Sequence, residues 1–161
     1  MILRVKQMLY FTVIRPTSAI ALTLTADDDS LLRIDFGVQQ PENAAEKENA
    51  VLVQAAAQLQ EYFQGRRKQF TVPLQPVGTE FQQQVWRALT RIPYGTTSTY
   101  KELAAAIGKP KASRAVGSAC HHNPLPVIIP CHRVIGSSGS LTGYAGGLAL
   151  KQQLLTLEQK S

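Results

Sequence analysis

Apolar and polar residues alternate along much of the first forty positions, which predicts an antiparallel sheet. The alternation over residues 10–14 and again over 19–25 indicates two strands. The polar run 27–30 predicts a turn, and the apolar segment 31–36 then returns as a third strand. A short apolar segment, 70–74, predicts one further strand.

Later apolar positions recur with the spacing of amphipathic helices. The longest such stretch covers residues 44–64 and stops before Gly65, a residue type that often follows the last turn of a helix. Thr79 is the predicted N-cap of a second helix that ends near Arg91. Three more helices are predicted at residues 100–107, about 112–121 and 148–159, and Thr99 with Glu102 fits a capping box at the start of the first of these.

The two helices flanking Gly108 are short and adjacent, as in a helix-turn-helix motif. At 100° per residue, the second of them has two faces. The face expected to point to the core carries Ala112, Ala115, Val116 and Ala119. The other carries Arg114, Gly117, Ser118 and His121. An arginine beside two very small residues lets a helix approach a large partner closely, and both a nucleic acid and a second domain of this chain fit that description.

Two prolines and a glycine between residues 73 and 78 mark the best domain boundary. The sequence therefore predicts a support domain over residues 1–75 and a second domain over residues 76–161. The predicted fold class is α+β. A small N-terminal α/β domain, an antiparallel sheet plus a helix, is expected to pack on a mostly helical C-terminal domain with a winged-helix-like helix-turn-helix.

The formal charge of +6 is unevenly distributed between these domains. Residues 1–75 hold eight basic and eight acidic side chains, whereas residues 76–161 hold nine basic and three acidic ones. The second domain therefore carries the whole excess. That excess fits either a polyanionic partner such as nucleic acid or a merely solvated basic surface.

Composition also bears on where the chain works. No apolar run approaches the roughly 18 residues of a membrane helix, so no membrane association is expected. A signal peptide within residues 1–14, with Arg4 and Lys6 as its basic part, is disfavoured because Thr12, Arg15 and Pro16 interrupt the apolar stretch. Two cysteines in 161 residues do not form a disulfide framework, and a cytoplasmic location is predicted.

Cys131 is the residue with the clearest potential for chemistry. It follows a β-branched run, residues 127–129, that is predicted to be buried, and prolines flank the segment on both sides. A thiol at the edge of a core beside His132 and Arg133 is expected to have a lowered pKa and to act as a nucleophile. The alternatives are a structural buried cysteine, a metal ligand and a protease nucleophile.

Residue spacing argues against two of these alternatives. Residues 120–122 and 131–132 are all cysteine or histidine, yet they lack the C-x₂-C or H-x₃-H spacing of metal sites, so no metal is predicted. A papain-like protease needs a histidine distant from its cysteine, whereas His132 is adjacent. The glycine-rich loop 136–147 has no following GKS or GKT, so it is predicted to line a pocket and not to cradle phosphate.

The segment Pro130-Cys131-His132-Arg133-Val134 resembles the active-site signature of the O6-alkylguanine-DNA alkyltransferases, the methylated-DNA–protein-cysteine methyltransferases. The similarity is strong from about residue 76 onward and diffuse before it. Similar residues recur at Gly78–Gln82, Val85–Trp86, Ile92–Gly95, Ser98–Tyr100, Arg114–Gly117, Asn123–Pro124, Gly143–Gly147, Leu154–Leu155 and Glu158.

This resemblance implies a set of site residues. Cys131 would be the alkyl acceptor, and His132, through a water, and Glu158 would relay its proton. Tyr100 would donate to the guanine ring, and Asn123 would order the turn beside the site. The implied DNA-binding residues are Ser113, Arg114, Ala115, Gly117 and Ser118, with Arg114 inserted into the base stack. The implied substrate pocket consists of Val134, Tyr144, Ala145, Gly146 and Gly147.

The resemblance implies a single-turnover DNA repair transferase that needs no cofactor. Its partner would be double-stranded DNA with a flipped O6-alkylguanine, contacted by the helix-turn-helix in the minor groove. A monomer in solution is expected, while cooperative binding to DNA and activity on O4-methylthymine stay open. Two rival hypotheses are a non-catalytic DNA-binding module that flags lesions and a metal-dependent regulator.

Overall fold

The computed structural model describes residues 7–160, and the chain divides into two compact units between Gln75 and Pro76. Each unit mixes helices with strands, so the predicted α+β class is confirmed. Among the described residues, no helix combines the length and apolarity needed to cross a membrane. Arg4 and Lys6, the basic part of the disfavoured signal peptide, lie outside the described residues.

The first unit contains a four-stranded sheet and one helix. Its strands are β1 (Leu9–Thr17), β2 (Ile20–Ala26), β3 (Leu31–Phe36) and β4 (Ala44–Glu46), in the order β3-β2-β1-β4. The pairs β1–β2 and β2–β3 are antiparallel, as the alternating pattern predicted. Helix α1 (Ala50–Phe63) packs on this sheet and buries Leu52, Ala55, Leu59 and Tyr62 completely.

The prediction of a helix from residue 44 was wrong by six residues. Residues 44–46 form β4, which pairs in parallel with β1 in the register Leu9↔Ala44. The helix begins only after Asn49, because the Asn49 side chain accepts a hydrogen bond from the Leu52 N–H at 2.9 Å and caps the first turn. The cap signal was present in the sequence, but the helix-forming alanines before it masked the break.

The predicted strand at residues 70–74 is also absent. Only Leu74 pairs with the sheet, through an isolated bridge to Leu31. The backbone N–H groups of Thr71 and Val72 donate instead to the buried Gln58 side chain, at 3.0 and 3.2 Å. The Gln58 amide thus takes the place of a neighbouring strand.

The second unit is mostly helical, with one short two-stranded sheet. Its helices are α2 (Glu80–Thr90), α3 (Tyr100–Ala106), α4 (Ser113–His121) and α5 (Leu148–Gln159), all close to the predicted ranges. Strands β5 (Ser98–Thr99) and β6 (Val134–Ile135), which the sequence did not reveal, pair in parallel. Thr79 and Thr99 cap α2 and α3 as predicted.

Trp86 fixes the position of α4 against α2. Its indole N–H donates to the Ala119 carbonyl at 2.9 Å, and the side chain is 2% exposed. Gly78 makes room for the indole, because a Cβ at that position would lie 2.4 Å from the ring. Helix α4 is therefore held rigidly at the start of the segment that leads to Cys131.

Candidate active site

Asn123 organises the segment that carries Cys131. Its amide nitrogen donates to the Ile129 carbonyl at 2.8 Å and to the Cys131 sulfur at 3.2 Å, and its amide oxygen accepts from the Leu125 N–H at 2.9 Å. Val127 has a φ of +75°, a conformation that costs a β-branched residue energy and that only firm surroundings maintain. The turn thus aims the Cys131 sulfur in one fixed direction.

Burial dominates the ionisation of Cys131. The residue is 8% exposed, and removal from water raises the pKa of its thiol. The Asn123 hydrogen bond and the nearby Lys151 charge act in the opposite direction without overcoming this effect. The lowered pKa expected from the sequence was wrong, because removal of the thiol from water has a larger effect than the nearby positive charge. A base must therefore remove the Cys131 proton for the sulfur to act at neutral pH.

His132 follows Cys131 in a single 3₁₀ turn (Cys131–Arg133) and is completely buried. Its Nε2 lies 2.6 Å from one carboxylate oxygen of Glu158, which α5 supplies from 26 residues away. Glu158 is 2% exposed and also accepts a hydrogen bond from the Gly95 N–H at 3.3 Å. The structure thus brings together the cysteine, histidine and glutamate singled out from the sequence.

Arg133 shares the same carboxylate. Its Nε donates to Glu158 Oε1 at 2.7 Å and its Nη2 to Oε2 at 3.1 Å, while Nη1 donates to the Ile92 carbonyl at 2.8 Å. Burial is the largest effect on the pKa of His132 and lowers it; Arg133 and Lys151 lower it further, and together these effects outweigh the opposing effect of Glu158. His132 is therefore an uncharged imidazole at neutral pH.

Lys151, a residue that the sequence analysis did not single out, is buried behind the site. Its ammonium group donates to the carbonyls of Val134 at 2.6 Å and Thr142 at 3.0 Å. These bonds tie the strand after Cys131 to the glycine-rich loop. Burial lowers the pKa of Lys151. Nothing in the sequence marked Lys151, since it occupies an ordinary position in an amphipathic helix.

A small cavity lies directly beside the Cys131 sulfur. Its volume is about 10 Å³, roughly the room for one water molecule. Tyr100 closes one side, and its hydroxyl is hydrogen-bonded to the Thr142 hydroxyl at 2.7 Å. Burial raises the pKa of Tyr100, so its phenol keeps its proton at neutral pH. The lining residues are Tyr100, Cys120, His121, Asn123, Pro126, Cys131, Gly143, Tyr144 and Ala145.

Only some of the predicted pocket residues line this cavity. Tyr144 and Ala145 line the cavity. Within residues 7–160, Val134, Gly146 and Gly147 are not part of its wall, and Val134 instead lies in β6 with its carbonyl bound to Lys151. Gly147, with a φ of +92°, is the residue immediately before α5.

Helix α4 presents the predicted DNA-binding residues. Arg114, Ala115 and Ser118 are exposed, while Ser113 and Gly117 are half-buried. One expectation for this helix was wrong, because Ala115 faces outward and not to the core. Cys120 is buried and lines the cavity. The nine-residue helix turns its core side to α2 and α3 through Val116, Ala119 and Cys120.

Two further observations bear on the rival hypotheses. Across residues 7–160, no three histidine, cysteine or acidic side chains converge as metal ligands would. Cys120 and Cys131 are free thiols. Neither observation favours the metal-dependent regulator over a nucleophilic cysteine.

Comparison with known proteins shows which proteins this chain resembles in sequence and fold. Residues 80–160 match the family described as 6-O-methylguanine DNA methyltransferase, DNA binding domain, and residues 17–76 match its ribonuclease-like domain. The chain is 49% identical to a methylated-DNA–protein-cysteine methyltransferase of Methanosarcina barkeri, over 87% of this chain and 91% of that protein. The crystal structure of Mycobacterium tuberculosis O6-methylguanine methyltransferase superimposes with a TM-score of 0.86 at 43% identity, covering 95% of this chain and 94% of that one. A second structure of that enzyme, in complex with DNA, has the same TM-score and identity and covers 94% and 93% of the two chains.

Proposed function

The chain belongs to the O6-methylguanine DNA methyltransferase family, whose members repair DNA by transferring an alkyl group to a protein cysteine, and from that premise we propose that Cys131 is the acceptor. The observation that carries this proposal is the Cys131 sulfur beside a cavity, with His132 and Glu158 in hydrogen-bond contact behind it. No other thiol of the described chain has a buried base in the next position.

The proposed reaction is a direct displacement at carbon. The Cys131 thiolate attacks the alkyl carbon of O6-methylguanine; a sulfur–carbon bond forms and the bond from that carbon to O6 breaks. The Cys131 proton passes through a water to His132, whose charge Glu158 stabilises, and Tyr100 supplies a proton to the departing guanine ring. Because the thioether is stable, each molecule reacts once. The step requires no cofactor.

Double-stranded DNA is the proposed partner, and α4 the element that meets it. Arg114, Ala115 and Ser118 form an exposed face of this helix, with Ser113 and Gly117 beside them, in the half of the chain that carries the entire excess of positive charge. A base within the duplex cannot reach a buried sulfur, so the lesion must be flipped out, with Arg114 filling the space it leaves.

The cavity must widen to admit the base. Its present volume is far below that of a purine, so the loop carrying Tyr144, Ala145, Gly146 and Gly147 has to move, and the Tyr100–Thr142 hydrogen bond has to open. Val134 is not retained as a pocket residue in this proposal, because it is buried in β6 and its carbonyl accepts from Lys151. The protein is proposed to act as a monomer in the cytoplasm, where Cys131 stays reduced.

The test is to mix purified protein with a duplex containing O6-methylguanine and to map its peptides by mass. One methyl group is expected on the peptide with Cys131, in a yield of one per protein molecule. Cys131→Ser should abolish transfer, whereas the matched control Cys120→Ser, a change in the other cavity thiol, should still transfer. Tight binding of the duplex with no methylated Cys131 would instead support the lesion-flagging module.

A further inference from the structure

Arg133 stands out among the buried groups that the proposed reaction does not use. It is 7% exposed, makes two hydrogen bonds to Glu158 and one to the Ile92 carbonyl, and lies over the Tyr94 ring at 5.6 Å. The Nε, Nη1 and Nη2 atoms of its guanidinium group each donate to one of these fixed acceptors. Such a bidentate pair is costly to bury, and packing alone does not call for it.

The position of Arg133 matters because Glu158 serves two partners. A buried carboxylate bound only to an imidazole favours a proton on that imidazole, since the charged pair stabilises itself. Here a permanent cation already neutralises Glu158 from the other side. A second positive charge on His132 would meet Arg133 across the same carboxylate and Lys151 from α5.

We infer that Arg133 is a positioning residue that keeps His132 uncharged at rest, so that His132 is available to accept the Cys131 proton. This inference deepens the proposed function and rests on it. If His132 were already protonated on both ring nitrogens and held in an ion pair with Glu158, it could not accept the Cys131 proton. Arg133 thus sets the resting charge of the proton relay while staying away from the reacting atoms.

The charged and titratable groups that the structure places around His132 all enter this argument. Glu158 and Lys151 reach it from α5, and Arg133 and Cys131 flank it in the 3₁₀ turn. The Tyr144 phenol lies near Cys131 and Glu158 and stays uncharged, because burial raises its pKa well above the ordinary value. Of these, Glu158 is the one group that favours a charged imidazole. Removing the positive charge of Arg133 while keeping Glu158 should therefore shift the balance toward imidazolium.

The first experiment measures the charge of His132 in the unmodified site. The chain has three histidines, so a His121→Gln, His122→Gln background used only for spectroscopy leaves the ring nitrogens of His132 as the single imidazole signal. In ¹⁵N NMR, two well-separated ring-nitrogen shifts, as in a neutral imidazole, are expected from pH 6 to pH 9. Two similar shifts at pH 7, as in an imidazolium, would overturn the inference without any change at Arg133.

The second experiment compares Arg133→Met, which removes the charge, with Arg133→Lys, which keeps it. In Arg133→Met, His132 should be protonated at neutral pH. Its rate of methyl transfer relative to the wild type should fall about tenfold for each pH unit below the new pKa of His132 and recover at alkaline pH. Arg133→Lys should keep a neutral His132 and a flat rate ratio, even if its melting temperature drops.

A purely structural role for Arg133 gives a different pattern. Both variants would then have lower melting temperatures and would react more slowly by a factor that does not change with pH. The His132 signals would titrate as in the wild type. That pattern would refute the inference. Failure of the proposed function looks different again, because the wild type itself would leave Cys131 unmethylated. If Arg133→Met does not fold, Arg133→Gln, which also removes the charge, takes its place in the same two measurements.

Discussion

The two units of the chain bury polar side chains for different reasons. Among the described residues, each unit has four: Thr23, Thr25, Asp27 and Gln58 in the first, and His132, Arg133, Lys151 and Glu158 in the second. Only one of the first four, Asp27, is ionisable, and it accepts from the N–H groups of Asp29 and Ser30 in a turn and from the Gln7 side-chain amide. All four in the second unit are ionisable and surround one cysteine.

This contrast shows how a buried polar group can be interpreted. In the first unit, Thr23, Asp27 and Gln58 hydrogen-bond to nearby backbone groups and thereby complete the fold. Arg133, Lys151 and Glu158 of the second unit carry charges that a stable core does not need, and burying these charges costs free energy. A cluster of buried charges in a small domain therefore marks the place where chemistry occurs, whereas buried amides and hydroxyls mark places where secondary structure stops.

The sharpest test of the contrast removes a charge from each unit. Glu158→Gln leaves Arg133 without its anion, so the free energy of unfolding should fall by about 3–5 kcal/mol and methyl transfer should be strongly slowed. Asp27→Asn, the matched change in the first unit, should cost about 1 kcal/mol and leave transfer intact. Urea unfolding and a single-turnover assay measure both. Equal losses in the two variants would contradict the contrast.

A neutral group of the first unit should affect stability alone. Gln58→Leu leaves the N–H groups of Thr71 and Val72 without acceptors, and the free energy of unfolding should fall by about 2–3 kcal/mol. Once the fraction of folded protein is taken into account, the rate of methyl transfer should stay the same. A slower reaction in fully folded Gln58→Leu would show that the first unit takes part in the chemistry.

The surface of the second unit can be tested separately from its interior. Arg114→Ala should slow transfer from duplex DNA about tenfold to a hundredfold, which corresponds to ~1.4–2.7 kcal/mol. It should leave the reaction with free O6-benzylguanine nearly unchanged, because no base has to be displaced. The matched control Arg66→Ala removes an exposed arginine of the first unit and should change neither rate. Equal losses on both substrates would remove Arg114 from the DNA-binding set.

The Cys120 thiol should have no effect on stability at neutral pH and a measurable effect only at alkaline pH. Burial raises the pKa of this thiol to about 12, so the folded protein keeps a proton that the unfolded chain releases above its ordinary pKa. The Cys120 contribution is fully present below that pKa and is lost as the pH rises toward 12, at ~1.4 kcal/mol per pH unit. Cys120→Ala should therefore flatten the decline of unfolding free energy between pH 9 and pH 11. An unchanged slope would show that Cys120 ionises freely in the folded state.

Local signals in the sequence predicted most of the fold. Thr79 and Thr99 cap the helices they were expected to cap, and Gly65 follows α1 with a φ of +76°. The two errors, at β4 and at residues 70–74, arose where pairing with a distant partner outweighed local preference. Neither the three-residue strand nor the Gln58 side chain leaves a periodic pattern.

The site could be predicted from the sequence only in part. Cys131, His132 and Glu158 carry a family signature, and the structure places them together. Arg133 was visible in that signature, but its contact with Glu158 depends on how α5 returns to the 3₁₀ turn. Lys151 and Thr142 left no signal, and the sign of the Cys131 pKa shift followed from burial, which adjacent residues do not report.

The narrowness of the space beside Cys131 has a consequence for how the protein is used up. A sulfur that reacts once has to be kept from the many small electrophiles of a cell, which would otherwise waste the molecule. The cavity has room for about one water, and Tyr100 and Tyr144 are part of its wall. A small electrophile therefore cannot approach Cys131 at the angle that displacement requires, or stay there long enough to react. Cys131 is thereby consumed only by a substrate that is large enough to widen the cavity and that is bound long enough to do so.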